Sequence, residues 1–223
     1  MISTYQTVLN GIRLGDTIGG PTQKAAIVAE SLSACQTLDI DDLGARYLRW
    51  WRSGAFDTGP TFAIVFSKID QGILPVESVL AADAELNGMT AGCSPAQRIS
   101  PLAACPDIPT EKIATLARQE ARITHLHPEA GDAAAIVALI CRLFMEGKLL
   151  QQASDWLDQH ENSAWAAVQR ASVSDSGRAS DVVRTALHCL ANASEPLTES
   201  FRISGDNNYA PPVVGALIAA KGR

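Results

Sequence analysis

At 223 residues, with 47% hydrophobic and 19% charged residues, the chain carries enough apolar material to bury a full core in one domain. A formal net charge of −6 argues against a nucleic-acid partner, because phosphate-binding surfaces normally show a basic excess. No apolar run reaches the length of a membrane span, residues 1–11 do not form a signal peptide, and none of the five cysteines (Cys35, Cys93, Cys105, Cys141, Cys189) forms a Cys-x-x-Cys pair. A membrane partner, a zinc knot and a disulfide framework are therefore disfavoured, and free thiols point to the cytoplasm.

Helical periodicity dominates, and alternating strand patterns are scarce. Ser3 with Gln6 reads as a capping box that opens a helix through Val8 and Ile12. A second helix is expected over 25–35 with Thr22 as its cap. Asp41 or Asp42 opens a third, in which Leu43, Tyr47, Leu48 and Trp51 share a face before Gly54 ends it. Further helices are expected over 62–72, 75–86, 110–123, 132–147, 149–159, 163–171, 180–192 and 212–220. The segment 87–109, punctuated by Gly88, Gly92, Pro95, Pro101, Pro106 and Pro109, reads as irregular, and long irregular segments in compact domains are often functional. Ser172, Ser174, Ser176, Gly177 and Ser180 mark a polar loop rather than a linker. No internal repeat is found, so the expectation is one all-α domain over 1–223.

The most informative stretch is 202–217, a short acidic loop that follows a polar helix and opens into a small-residue apolar helix. Its Gly205-Asp206-Asn207-Asn208-Tyr209 resembles the Gly-Asp-Thr-Asp-Thr metal loop of the ADP-ribosylglycohydrolase family, of the dinitrogenase-reductase-activating glycohydrolase type. The resemblance continues in chain order. Gly15-Asp16-Thr17-Ile18-Gly19 is similar to the family's opening turn, and Ala29-Glu30-Ser31-Leu32 to the helix after its first metal loop. Phe56-Asp57-Thr58-Gly59, Arg98-Ile99-Ser100-Pro101-Leu102 and Thr124-His125-Leu126-His127-Pro128 resemble three later motifs. It implies a compact orthogonal helical bundle, an ADP-ribosyl or related small-molecule ligand, and hydrolysis of an N-glycosidic bond.

The departures are systematic. Asn208 stands where the family has its second aspartate and Tyr209 where it has its final threonine. Gly19-Gly20-Pro21-Thr22 occupies the place of the Thr-Asp-Asp-Thr loop, and Gly92-Cys93-Ser94 that of a Gly-Asn-Gly turn. The oxygens left for a metal are Asp206, Asn208 and Thr22, a set suited to one weakly held Mg2+ rather than a pair.

Asp16, Asp57 and Asp206 are the carboxylate candidates for glycosidic cleavage, although Asp16 and Asp57 equally suit helix caps and loop ties. Cys93 is a candidate nucleophile, with His125 or His127 as the only activating partners in view. The His-x-His pair also suits capping and loop hydrogen bonds. Lys24, Ser94, His125, His127 and Tyr209 are candidate ligand-binding residues, and Lys24 is a cation able to replace lost metal charge, or else a solvated lysine. Three functions remain open: a divergent glycohydrolase, a non-catalytic binder of ADP-ribose or a nucleotide, and a metal-independent enzyme on another small substrate.

Overall fold

The computed structural model of the chain describes residues 2–222, with side chains from residue 5 onward. Among the described residues it is all-α. In chain order the helices are α1 (Ile2–Gly15), α2 (Gly20–Cys35), α3 (Ile40–Arg52), α4 (Pro60–Asp70), α5 (Pro75–Glu85), α6 (Ser94–Arg98) and α7 (Thr110–Ala121). They continue with α8 (Pro128–Met145), α9 (Leu150–His160), α10 (Asn162–Arg170), α11 (Ala179–Asn192), α12 (Pro196–Ser204) and α13 (Ala210–Lys221). One isolated bridge, between Gly92 and Arg178, is the only β-type pairing among the described residues.

Several helices start earlier than the apolar period suggests, each because a proline or an acidic side chain organises the first turn. α2 begins at Gly20, with Pro21 in its first turn. Thr22 therefore lies inside the helix instead of capping it. α4 begins at Pro60 and α8 at Pro128, where His127 Nδ1 accepts from Glu129 N at 3.3 Å. α3 is capped by Asp39, whose Oδ1 accepts from Asp41 N (3.0 Å) and Asp42 N (2.9 Å), and not by Asp41 or Asp42. The Ser3 half of the expected capping box lies outside the described side chains, and Gln6 Nε2 donates to Asn10 Oδ1. The segment expected to be irregular contains α6 and a 3-10 turn over Ser100–Ala104, and residues 95–105 are buried.

α8 is the central rod. Its run from Ala133 to Cys141 is at most 1% exposed, so it is apolar on every side and packed all round. Across the bundle, α1 and α13 cross at glycines: a Cβ on Gly11 or Gly215 would collide with the other's carbonyl oxygen. Gly15 in turn packs against the Pro211 carbonyl. This crossing brings the end of α1, the start of α2 and the start of α13 to one place, with the α3–α4 turn beside them. Tyr47, Phe62 and Phe66 form an aromatic floor beneath it, with centroids 4.4–5.9 Å apart. No helix among the described residues is long and apolar enough to cross a membrane.

Candidate active site

Three turns converge on Asn208. The first is the α1–α2 turn, held by Asp16. Asp16 Oδ1 accepts from Ile18 N (3.1 Å) and Gly19 N (2.7 Å), and Oδ2 accepts from Thr22 N (2.8 Å) and Thr22 Oγ1 (2.6 Å). Asp16 is thus the anionic cap of α2, and Gly19, at φ 120°, makes the left-handed corner that lets the chain wrap around it. Burial pushes the Asp16 carboxyl up, but the hydrogen bonds from Thr22, Asn208 and Gly19 outweigh it and hold the group below its ordinary value.

The second turn joins α3 to α4. Asp57 sits there in left-handed backbone at φ 50°, pressed so closely on Gly20 that a Cβ at that glycine would strike the Asp57 carbonyl. Asp57 Oδ2 accepts from Gly20 N at 3.2 Å. Oδ1 has no hydrogen-bond partner among the described residues. The third turn supplies Asn208 itself, which is 8% exposed. Its Nδ2 donates to Asp16 Oδ1 (2.8 Å) and Asp57 Oδ2 (3.3 Å), and its Oδ1 accepts from Thr17 N (3.2 Å). Gln97 Nε2 fixes this turn from α6 by donating to the carbonyls of Asn208 (2.6 Å) and Tyr209 (2.9 Å).

Lys24 rises from the second turn of α2 into this junction and is only 2% exposed. Its Nζ donates to Asp57 O at 3.0 Å and stands 5.8 Å from the Phe62 centroid. No carboxylate among the described residues forms an ion pair with it. Desolvation, reinforced by the Arg98 charge and opposed by Asp57 and Asp16, lowers its pKa to about 8.

The opposite wall comes from the 92–98 segment. Cys93 N donates to Gly177 O at 3.0 Å, which ties the segment to the polar loop before α11. The Cys93 thiol is buried and pushed up to about 12 by desolvation, so it is fully protonated at neutral pH. Ser94 Oγ accepts from Arg98 Nη1 at 3.2 Å, which leaves its own hydrogen available. Beneath them Arg98 and Glu120, both fully buried, pair at 2.7 Å, and Tyr47 Oη donates to the same Glu120 oxygen at 2.9 Å. Arg98 Nη2 also donates to Thr124 Oγ1 (2.9 Å), which contacts His125 Nδ1 at 2.7 Å. Burial and the charges of Arg98 and Lys24 hold His125 well below its ordinary value, so its ring is neutral.

These walls enclose a cleft of 350 Å3. Of the residues singled out from sequence, Lys24, Asp57, Cys93, Ser94, His125, Asp206, Asn208 and Tyr209 line it. Asp16 and Thr22 lie behind Asn208, outside the lining. His127 points to a different depression beside Glu129 and Asp132, and its N donates to Thr90 Oγ1 at 3.2 Å. Asp206 is exposed at the rim without a hydrogen-bond partner among the described residues, and the Tyr209 ring closes over Gly177. A larger groove of 580 Å3 between α3, α4, α5 and α7 is lined by apolar side chains, Asp41 and Arg122 being its only charged residues. It lacks the converging polar groups of the smaller cleft, which is the better candidate site on chemistry. Gln97 and Glu120 were not recognisable as site-forming from sequence, since each acts through partners remote in the chain. Arg98 and Thr124 stand in motifs of the family resemblance, but their contact with each other did not show there.

The profile of the ADP-ribosylglycohydrolase family matches residues 6–222, and the chain belongs to that family. No curated protein sequence is significantly similar to it. A solved structure described as an ADP-ribosylglycohydrolase-related protein complex has the same fold, with a TM-score of 0.73 at 21% identity. That alignment covers 98% of this chain and 87% of the other.

Proposed function

We propose that the cleft binds an ADP-ribosyl or related N-glycosidic ligand and hydrolyses its glycosidic bond without a metal pair, with Lys24 supplying the positive charge. The observation that carries this reading is the Lys24 ammonium, 2% exposed and held by a single carbonyl at the junction of the three turns. Magnesium takes oxygens with free lone pairs in octahedral array. Of the oxygens expected for a metal, Asn208 Oδ1 accepts from Thr17 N, Thr22 Oγ1 is turned to Asp16 Oδ2, and Asp206 stands apart at the exposed rim. The Asp16 oxygens are occupied by backbone, hydroxyl and amide donors. Among the described residues no three His, Cys, Asp or Glu side chains are grouped to hold a metal ion. The donor set does not fit the Mg2+ cluster expected of the family.

In this reading Lys24, Ser94 and the neutral His125 face the polar groups of the ligand, and Tyr209 covers it. Asp57 Oδ1, an unengaged carboxylate oxygen beside Lys24 where Asp206 lies out at the rim, is the base for the attacking water. Cys93 contributes shape rather than a nucleophile. The test is a thermal-shift titration with ADP-ribose, with and without Mg2+, followed by turnover of ADP-ribosylated substrates. Stabilisation by ADP-ribose alone, and a roughly 10²-fold or greater loss of turnover in Asp57→Asn, are expected. Stabilisation that requires Mg2+ would overturn the metal-free reading, and binding without turnover would leave a non-catalytic binder.

A further inference from the structure

Lys24 has a geometry that anion binding alone does not require. A side-chain amine needs three things to attack a carbonyl carbon: an accessible lone pair, a way to shed its proton, and room for the adduct. Lys24 Nζ has one hydrogen-bond acceptor, the Asp57 carbonyl, so a neutral amine can donate one N–H there and turn its lone pair to the cleft. No carboxylate pins it as an ammonium, in contrast to Lys68, whose Nζ is paired with Glu85 at 2.5 Å. The buried Arg98 guanidinium beside it disfavours a second positive charge, and burial acts in the same direction. The cleft it faces has room for a pentose, and Asp57 Oδ1 is an unengaged carboxylate on the residue that already holds Nζ.

We propose that Lys24 is a carbonyl-reactive amine that captures the open-chain aldehyde of a reducing sugar as an imine. The lone pair of Nζ adds to the aldehyde carbon, and Asp57 Oδ1 takes the proton released from the nitrogen. That carboxyl returns the proton to the alkoxide oxygen, giving the neutral carbinolamine. The nitrogen lone pair then expels the hydroxyl, which leaves as water with the remaining nitrogen proton, carried across by the same Asp57 oxygen, giving C=N and no net redox change. The inference rests on the cleft being a sugar site, as proposed above, and does not depend on hydrolysis. The released ribose of a glycosidic cleavage is a hemiacetal whose open form is such an aldehyde, so product would be retained reversibly on Lys24.

The experiment is reductive trapping with cyanoborohydride at neutral pH. Ribose 5-phosphate and ADP-ribose serve as separate probes, and peptide mass spectrometry reads out all five lysines (Lys24, Lys68, Lys112, Lys148, Lys221). The expected result is an adduct on Lys24, buried as it is, at least about tenfold faster than on any other lysine, since it is the lysine that lines the cleft where the sugar is held. Unfolding the protein in urea should abolish this preference. Asp57→Asn should slow trapping while leaving the melting curve in place. An adduct with ribose 5-phosphate but not ADP-ribose would support the amine chemistry and overturn the ADP-ribosyl ligand. Adducts confined to the exposed lysines would overturn the proposal, and the thermal-shift titration would still decide on ADP-ribose binding. Since the readout is made on the unmodified chain, it holds even where Lys24 variants fail to fold.

Discussion

Asn208 directs its two amide hydrogens at two carboxylates from different turns, Asp16 at 2.8 Å and Asp57 at 3.3 Å. A neutral amide thus does the electrostatic work of a bridging cation without needing one. Asn208→Asp would replace those donors with a third carboxylate facing the other two. Like charges at that separation are expected to cost on the order of 1–3 kcal/mol and to push one carboxyl upward. The variant should melt lower than the wild type in EDTA and be rescued by millimolar Mg2+, while the wild type should ignore the metal. Stabilisation of the wild type by Mg2+ would contradict this account. Lys24 makes the complementary case. Its pKa in the fold, about 8, lies below its ordinary 10.5, so the unfolded chain binds the proton more tightly and the charged form opposes folding. The cost is fully present below pH 8 and fades as pH rises toward 10.5, with Arg98, Asp57, Asp16 and Cys93 as the titratable neighbours. Lys24→Met should therefore be more stable than the wild type at pH 7, by on the order of 1–3 kcal/mol, and lose ligand binding. The two melting curves should converge above pH 10, and a less stable variant at pH 7 would show that Lys24 holds the junction together.

At the scale of elements, the α1–α13 crossing decides whether the turns meet at all. The two helices touch through the backbones of Gly11 and Gly215, so any side chain must push them apart. Gly215→Ala, a good substitution for an isolated helix, is expected to cost more than about 2 kcal/mol by overpacking and to lower the urea midpoint. A neutral result would mean that the crossing is loose. Helix existence was legible in sequence wherever apolar positions repeat through the whole element, as in α5 and α11. The starts of α5 and α7 were legible too, at Pro75 and Thr110, but those of α2, α4 and α8 were not, because these helices open on Gly20-Pro21, Pro60-Thr61 and Pro128-Glu129, which carry no apolar signal. Prolines in 94–104 read as loop punctuation, yet they occupy the opening turns of α6 and the 3-10 turn that follows it. The converging turns could be anticipated from the family resemblance. The bridging role of Asn208 could not, since its partners lie 192 and 151 residues away and no local pattern encodes such a contact.

On the scale of the whole molecule, cleft and core are one electrostatic system. Arg98 and Glu120 are both fully buried and join α6 to α7, while Tyr47 brings in α3 through the same carboxylate oxygen. Arg98 also lies 5.4 Å from the Tyr47 centroid and 5.9 Å from that of Phe62, so its charge rests on the aromatic floor of the cleft. Two buried cations, Lys24 and Arg98, therefore share a region in which Glu120 is the one fully buried carboxylate among the described residues. Glu120→Gln keeps the shape and an acceptor but removes the balancing charge. Leaving Arg98 unpaired is expected to cost about 3–5 kcal/mol and to depress Lys24 further, so the urea midpoint and ADP-ribose binding should fall together. Combining Arg98→Met with Glu120→Met removes both charges and should recover most of the stability. Binding should stay weak, because Thr124 and the His125 ring lose the guanidinium that orients them. A double variant as unstable as the single one would mean that the pair holds the fold through its shape and hydrogen bonds. Recovery of stability without binding would separate the two roles, assigning charge balance to the core and ring orientation to the cleft.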